Sequence, residues 1–176
     1  LFLVSALDKS AATTFTMKRI VFSFLLLGFF GSAAVAGPTI FIVRHAEKMA
    51  SMGRDPDLSE AGHARAESLA KILRDAGITA ICVSDLKRTQ QTAAPLSRAL
   101  GINLTILPAN DITAITARLR NVRSGNVLVV GHSDTVPNLI KALGIETPTK
   151  IGQADYDNLF VILLGEKPRL IRLHYR

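Results

Sequence analysis

The sequence has no tryptophan and a single cysteine, Cys82. One cysteine excludes an internal disulfide framework and a cysteine-based zinc site. The 4 histidines show neither H-x-x-x-H nor H-E-x-x-H spacing, which argues against a zinc hydrolase. Aromatic residues are scarce, at 6% of 176 residues, and no basic run accompanies the net charge of +7. Dispersed Lys and Arg with few rings to stack on bases argue against a nucleic-acid partner. A small phosphorylated or otherwise anionic substrate, or a phosphoprotein, fits a modest positive charge equally well. No repeat or low-complexity stretch is present. Apolar residues at 48% and charged residues at 20% describe a globular chain.

Long hydrophobic runs are also absent but for one near the N-terminus. Met17-Lys18-Arg19 is a short basic start, Ile20 to Phe30 is apolar apart from Ser23 and Gly28, and small residues lead to Ala34-Val35-Ala36. These are the three parts of a secretory signal, expected over 17–36 with cleavage near Ala36/Gly37 and a periplasmic or secreted product. The apolar run is shorter than the roughly 20 residues of a spanning helix, so no stable membrane span is expected after cleavage. A retained anchor is the alternative. Residues 1–16 read as a leader or an upstream start, and 37–176 as one domain.

Within that domain the pattern alternates. Short apolar, β-branched runs at 39–43, 79–83, 103–107 and 126–130 read as buried strands. Between them, helices are expected over 60–75 behind a Ser59 cap, over 86–100 ending at Gly101, from an Asp111 cap to about 119, and around Pro137 to about Gly144. Pro95 predicts a kink or break in the second. Two last strands, 158–164 and 169–174, suggest an antiparallel hairpin. The expected fold class is α/β, a three-layer sandwich of a mostly parallel sheet with helices on both faces. Cys82, inside an apolar run, reads as a packed core thiol.

Three polar clusters follow strands at their C-terminal ends, the edge where open α/β sheets bind ligands. They are Arg44-His45-Ala46-Glu47-Lys48, the stretch from Ser84 to Ala93, and Gly131-His132-Ser133-Asp134-Thr135. Together they suit phosphoryl chemistry. Arg44 and Arg88 can grip phosphate oxygens bidentately. A neutral His45 can attack phosphorus, and His132 can stabilise the oxygens in the transition state. A helix starting near Thr135 would add backbone N–H groups.

Arg44-His45-Ala46-Glu47 resembles the Arg-His-Gly/Ala-Glu signature of the histidine phosphatase superfamily, the phosphoglycerate-mutase-like fold. The Ser84 to Ala93 stretch resembles its Ser-x-x-x-Arg-x-x-Gln-Thr-Ala block, and Gly131-His132-Ser133 its Gly-His block. The resemblance implies a phosphohistidine intermediate at His45, phosphate binding by Arg44, Arg88 and His132, and no metal or organic cofactor. It also implies a compact member of exported bacterial type, hydrolysing a phosphate ester or phosphoramidate. A catalytically weak phospho-ligand-binding module and a phosphomutase are the alternative activities.

Leaving-group departure calls for a proton donor. Asp134 and Asp111 are the candidates, each of which also reads as a helix cap, and a site without a carboxylate donor is the third possibility. Such a site would suit good leaving groups, as in phosphohistidine or an acyl phosphate. Glu47 and Lys48 could orient the nucleophile or touch substrate, or form a surface ion pair. Asp85 and Lys87 read as rim residues, His63 as solvated and His174 as structural. Asp155-Tyr156-Asp157-Asn158 could close the pocket floor or simply turn the chain.

Overall fold

The computed structural model describes residues 37–50 and 53–176, so the leader and signal expected over 1–16 and 17–36 lie outside the described residues. Its elements are β1 (Thr39–Arg44), α1 (Glu60–Leu73), β2 (Ile78–Ser84), α2 (Lys87–Leu100), β3 (Leu104–Leu107), α3 (Ile112–Arg120), β4 (Asn126–Gly131), α4 (Thr135–Ala142), β5 (Asn158–Leu163) and β6 (Arg169–His174). Boundaries differ from the sequence expectation by a residue or two, as helix ends fray and caps shift.

The strands form one sheet in the order β3-β2-β4-β1-β5-β6. β3, β2, β4 and β1 are mutually parallel, while β5 runs antiparallel to both β1 and β6. The expected α/β sandwich with a mostly parallel sheet is therefore the observed fold, with an antiparallel pair on one side. Both sheet faces are covered, which explains why the strands read as unbroken apolar runs rather than alternating ones. Val43, Leu128 and Val130 pack with Leu69, Leu73 and Leu96 of α1 and α2. Their neighbours Ile40, Ile42, Val127 and Val129 point the other way, onto Leu119, Leu139 and Ile140 of α3 and α4. Cys82 lies in that second core, and burial raises its thiol pKa.

Of the kink or break expected at Pro95, the break does not occur: α2 continues through it. Proline costs a helix interior about 3 kcal/mol through its lost hydrogen bond and ring clash. Thr92, Ala93 and Leu96 are fully buried around it, and burying a leucine alone recovers about 1.5–3 kcal/mol. Pro137 sits in the first turn of α4, where its missing N–H has no partner to lose.

No helix among the described residues is long and apolar enough to cross a membrane.

Candidate active site

The parallel half of the sheet carries the three polar clusters to one rim. β1 and β2 both flank β4, so the C-terminal ends of the three strands are adjacent. Arg44 ends β1, Ser84 ends β2 and Gly131 ends β4. Across the first junction the His45 N–H donates to the Gly131 carbonyl at 2.9 Å. His45 and His132 follow their strands directly, and their ring centroids stand 5.4 Å apart at 58°. Arg44, His45, Arg88 and His132 line a single open cleft of about 540 Å³, together with Lys48 and Asp134.

His45 keeps one ring nitrogen free to act. Its Nδ1 lies 2.8 Å from the Ala46 carbonyl, an acceptor, so Nδ1 carries the proton and Nε2 keeps its lone pair. Burial pulls the pKa down to about 4; the Ala46 bond opposes this, and His132, Arg44 and Arg88 lower it further. The ring is neutral at pH 7, the form that can attack.

The proton on His132 follows from hydrogen-bond logic. The Thr89 hydroxyl donates to the Ser84 and Leu86 carbonyls at 3.1 and 2.8 Å. Ser84 Oγ, 2.9 Å from Thr89 Oγ1, is then the donor in that contact. With its proton committed there, Ser84 accepts from His132 Nε2 at 3.0 Å. Neutral His132 thus holds its proton on Nε2, and its buried Nδ1 has no partner. Burial lowers its pKa to about 4, aided by Arg88 and Arg44 and opposed by Asp134 and Asp85.

The two guanidinium groups are held differently. Arg44 Nη1 donates to the Gly152 and Gln153 carbonyls at 2.8 and 3.0 Å. Its Cζ lies 4.1 Å from the Tyr156 ring centroid. Arg88 instead has a carboxylate partner, Asp55, at 3.6 Å. The same Asp55 accepts the Lys87 N–H and so supplies the cap that Leu86 cannot provide for α2. The Nε atoms of both arginines are buried without a partner. Unpaired buried donors cost about 1–3 kcal/mol each, a cost that a bound anion removes.

The other polar residues of the second cluster hold loops in place. Thr92 Oγ1 accepts the Ala46 N–H at 2.9 Å and fixes the backbone beside His45. Gln91 binds the Leu58 N–H and the Asp57 carboxylate, both at 2.8 Å. α1 docks on the same turn: Ser59 N–H donates to the Glu47 carbonyl at 2.9 Å. A Cβ on Gly62 would stand 2.0 Å from that carbonyl oxygen, so only glycine admits this approach.

Glu47 faces away from the cleft. It takes Arg65 of α1 at 2.7 Å, and Arg65 also donates to the Tyr175 carbonyl. Burial alone would raise the Glu47 pKa, but the hydrogen bonds and charge of Arg65 hold it below its ordinary value. Lys48 is exposed on the cleft lining. Asp111 Oδ1 accepts the Ala114 N–H at 2.8 Å as the cap of α3 and does not line the cleft. Asp134 does line it, while accepting the Thr135 N–H at 2.9 Å. The expected helix N–H donors are partly occupied, since Val136 N–H also goes to the His132 carbonyl at 3.0 Å. His63 is exposed, and exposed His174 pairs with Asp157 at 3.1 Å.

The structure of the protein histidine phosphatase SixA complexed with tungstate superposes with a TM-score of 0.65 at 21% identity, covering 77% of this chain and 96% of that one. The chain has the fold of the histidine phosphatase superfamily. Residues 40–110, which include Arg44, His45 and Arg88, match the pattern of that superfamily's branch 1. A mycobacterial glucosyl-3-phosphoglycerate phosphatase shares the histidine phosphatase fold at a TM-score of 0.58 and 17% identity, over 80% of this chain and all 100% of that one. By sequence, "Probable phosphoglycerate mutase GpmB" of Yersinia enterocolitica is 37% identical over 75 residues, 39% of this chain. That match spans only 35% of the curated relative's length.

Sequence reasoning missed the partners of the arginines. Asp55 sits in a loop with no pattern of its own. The carbonyls of Gly152 and Gln153 carry no sequence signal at all. Tyr156 figures in the Asp155 to Asn158 stretch that could close the pocket floor or turn the chain, but not as a partner of Arg44.

Proposed function

We propose that the chain is a phosphatase acting on a phosphate ester or phosphoramidate through a phosphohistidine at His45, with no metal or organic cofactor. The observation that carries this is the packing of two neutral imidazoles, 5.4 Å apart, between two arginines whose buried Nε atoms have no partner. Arg44 and Arg88 neutralise and orient the phosphoryl oxygens. His45 Nε2 attacks phosphorus in line, forming a P–N bond as the bond to the leaving group breaks and its electron pair departs with that group. Water then attacks phospho-His45. The P–N bond breaks, the pair returns to Nε2, and inorganic phosphate is released. His132 Nδ1, an acceptor in the neutral tautomer, suits a phosphoryl group that still carries one proton.

Asp134 is the leaving-group donor in this reading, because it is the carboxylate on the cleft lining among the described residues. Its bond to the Thr135 N–H favours a second reading in which no carboxylate protonates the leaving group. The substrate is then one whose leaving group departs readily, such as a phosphorylated imidazole, in line with the activity in SixA's name. The chain is further proposed to act outside the cytoplasm, on the strength of the signal pattern over 17–36.

The test is to incubate the purified chain with a radiolabelled phosphoester and a phosphohistidine peptide, then assay release and protein-bound label. Acid-labile label on the wild type, absent from an inactive His45→Ala variant, is the expected result. Label and turnover in His45→Ala would end the proposal. Tight phosphate binding without turnover would favour the binding module, and transfer to a second acceptor the mutase.

A further inference from the structure

We infer that the turn leading into β5, through Tyr156 and Asp155, is a positioning device for the Arg44 guanidinium. The inference rests on the reading above that Arg44 grips the phosphoryl group.

Topology places the turn. β5 runs antiparallel to β1, with Val43 opposite Leu159. The residues just before β5 therefore lie at the C-terminal end of β1, where Arg44 projects. An arginine side chain there has several rotatable bonds and a charge that must be aimed. Two features of the turn aim it. The Gly152 and Gln153 carbonyls hold Nη1 at 2.8 and 3.0 Å. The Tyr156 ring lies under the guanidinium carbon at 4.1 Å, within the range of a cation–π contact.

The turn is itself braced. The Asp155 carboxylate accepts the Gly152 N–H at 2.8 Å, and the Asp155 N–H donates back to the Gly152 carbonyl at 3.1 Å. On the far side the Asp157 carbonyl accepts the Tyr175 N–H at 2.9 Å. Tyr156 is pinned between these two anchors. It is only half-buried and belongs to neither of the two large hydrophobic cores, and it also borders a second open cleft of about 570 Å³ beside α1. Core packing thus does not account for its position. Its ring centroid also stands 6.1 Å from that of His45.

All the fixing groups are neutral at the guanidinium. They take Nη1 and one face of the plane, leave its full charge, and leave Nε without a protein partner. The result is an arginine aimed before the anion arrives by groups that carry no negative charge. Preorganisation of this kind saves the ordering entropy that a free arginine would lose on binding.

The experiment measures orthovanadate and inorganic phosphate binding by calorimetry on the full chain, with turnover assayed in parallel. Tyr156→Leu is expected to weaken both anions about fivefold, the middle of the cation–π range. Tyr156→Phe keeps the ring and is expected to bind like the wild type. Asp155→Ala, which frees the turn without touching the ring, is expected to weaken binding in the same direction. In an Arg44→Ala background, Tyr156→Leu should add nothing. Wild-type binding in both Tyr156→Leu and Asp155→Ala, with Arg44→Ala impaired, would overturn the inference and leave the phosphatase reading standing. Unchanged binding in Arg44→Ala would instead remove the phosphatase reading's grip on the anion. Should Tyr156→Leu lose its thermal transition, Asp155→Ala and the Phe variant decide.

Discussion

The two walls of the cleft hold their arginines by opposite means. On the β1 side, Arg44 is fixed by backbone carbonyls and an aromatic ring, all neutral. On the β2 side, Arg88 lies 3.6 Å from the Asp55 carboxylate. A neutral clamp leaves the charge available to a ligand. A carboxylate partner shares it, so an anion arriving at the cleft would compete with Asp55 for Arg88. The lesson is that two arginines in one pocket need not be equally available: one is preset, the other would have to be partly released.

The largest effect expected is loss of either arginine. Arg44→Ala and Arg88→Ala should each lower kcat/KM by about 10²–10³, the usual cost of removing one group that stabilises transition-state charge. Steady-state kinetics would show it. An equal loss from both would blur the difference between the walls. A greater loss at Arg44 would sharpen it.

Next comes Gly62→Ala, which drives a methyl into the Glu47 carbonyl at 2.0 Å. The α1 N-terminus must shift, and with it the turn beside His45. A stability loss of about 1–3 kcal/mol by urea denaturation is expected, with activity falling too. Unchanged stability would show that the helix can retreat freely.

The histidines, just beyond the ends of β1 and β4, set the acid limit. Both have folded pKa values near 4 against 6.5 for a free imidazole. Between about pH 4 and 6.5 the unfolded chain binds more protons than the folded one, so stability falls as pH drops through that window. The slope is up to about 1.4 kcal/mol per pH unit for each histidine. Above the window the contribution is fully present. Urea midpoints across this range should fall, and His132→Asn should flatten the slope. A flat wild-type profile would contradict the burial that depresses both values.

A smaller, opposite-signed pair separates the walls. Asp55→Asn frees Arg88 and should tighten phosphate binding severalfold, while the asparagine still accepts the Lys87 N–H. Any disturbance of the Arg44 clamp weakens binding instead. Weaker binding in Asp55→Asn would mean the carboxylate orients Arg88 rather than competing for it. The smallest effect is Glu47→Gln, which cuts a partly exposed pair with Arg65 and should cost about 1 kcal/mol of stability without altering phosphate affinity.

Much of the fold was legible because its signals are local. Thr39–Arg44 and Asn126–Gly131 are short β-branched runs buried on both faces, and such runs announce parallel strands. Pro95 does not end the helix, because the local rule is opposed by the burial of Thr92, Ala93 and Leu96 around it. At the site, His45 and His132 stood out as polar residues at strand ends. The double duty of the carboxylates was less legible. Asp111 and Asp134 satisfy a cap and an acid role equally well on paper, and their side-chain bonds to Ala114 and Thr135 appear only in three dimensions. Glu47 lies two residues after His45 in the chain, yet the turn after β1 aims it at Arg65.

The sequence by itself determined the alternating α/β order, the apolar strands and the residues that reach one rim, because hydrophobic period and strand-end position are properties of short windows. Only the tertiary structure decided that β5 pairs antiparallel with β1, and with it the delivery of Gly152, Gln153 and Tyr156 to Arg44. Strand direction depends on which neighbour the chain pairs with after a turn, and that choice is made by the packed whole.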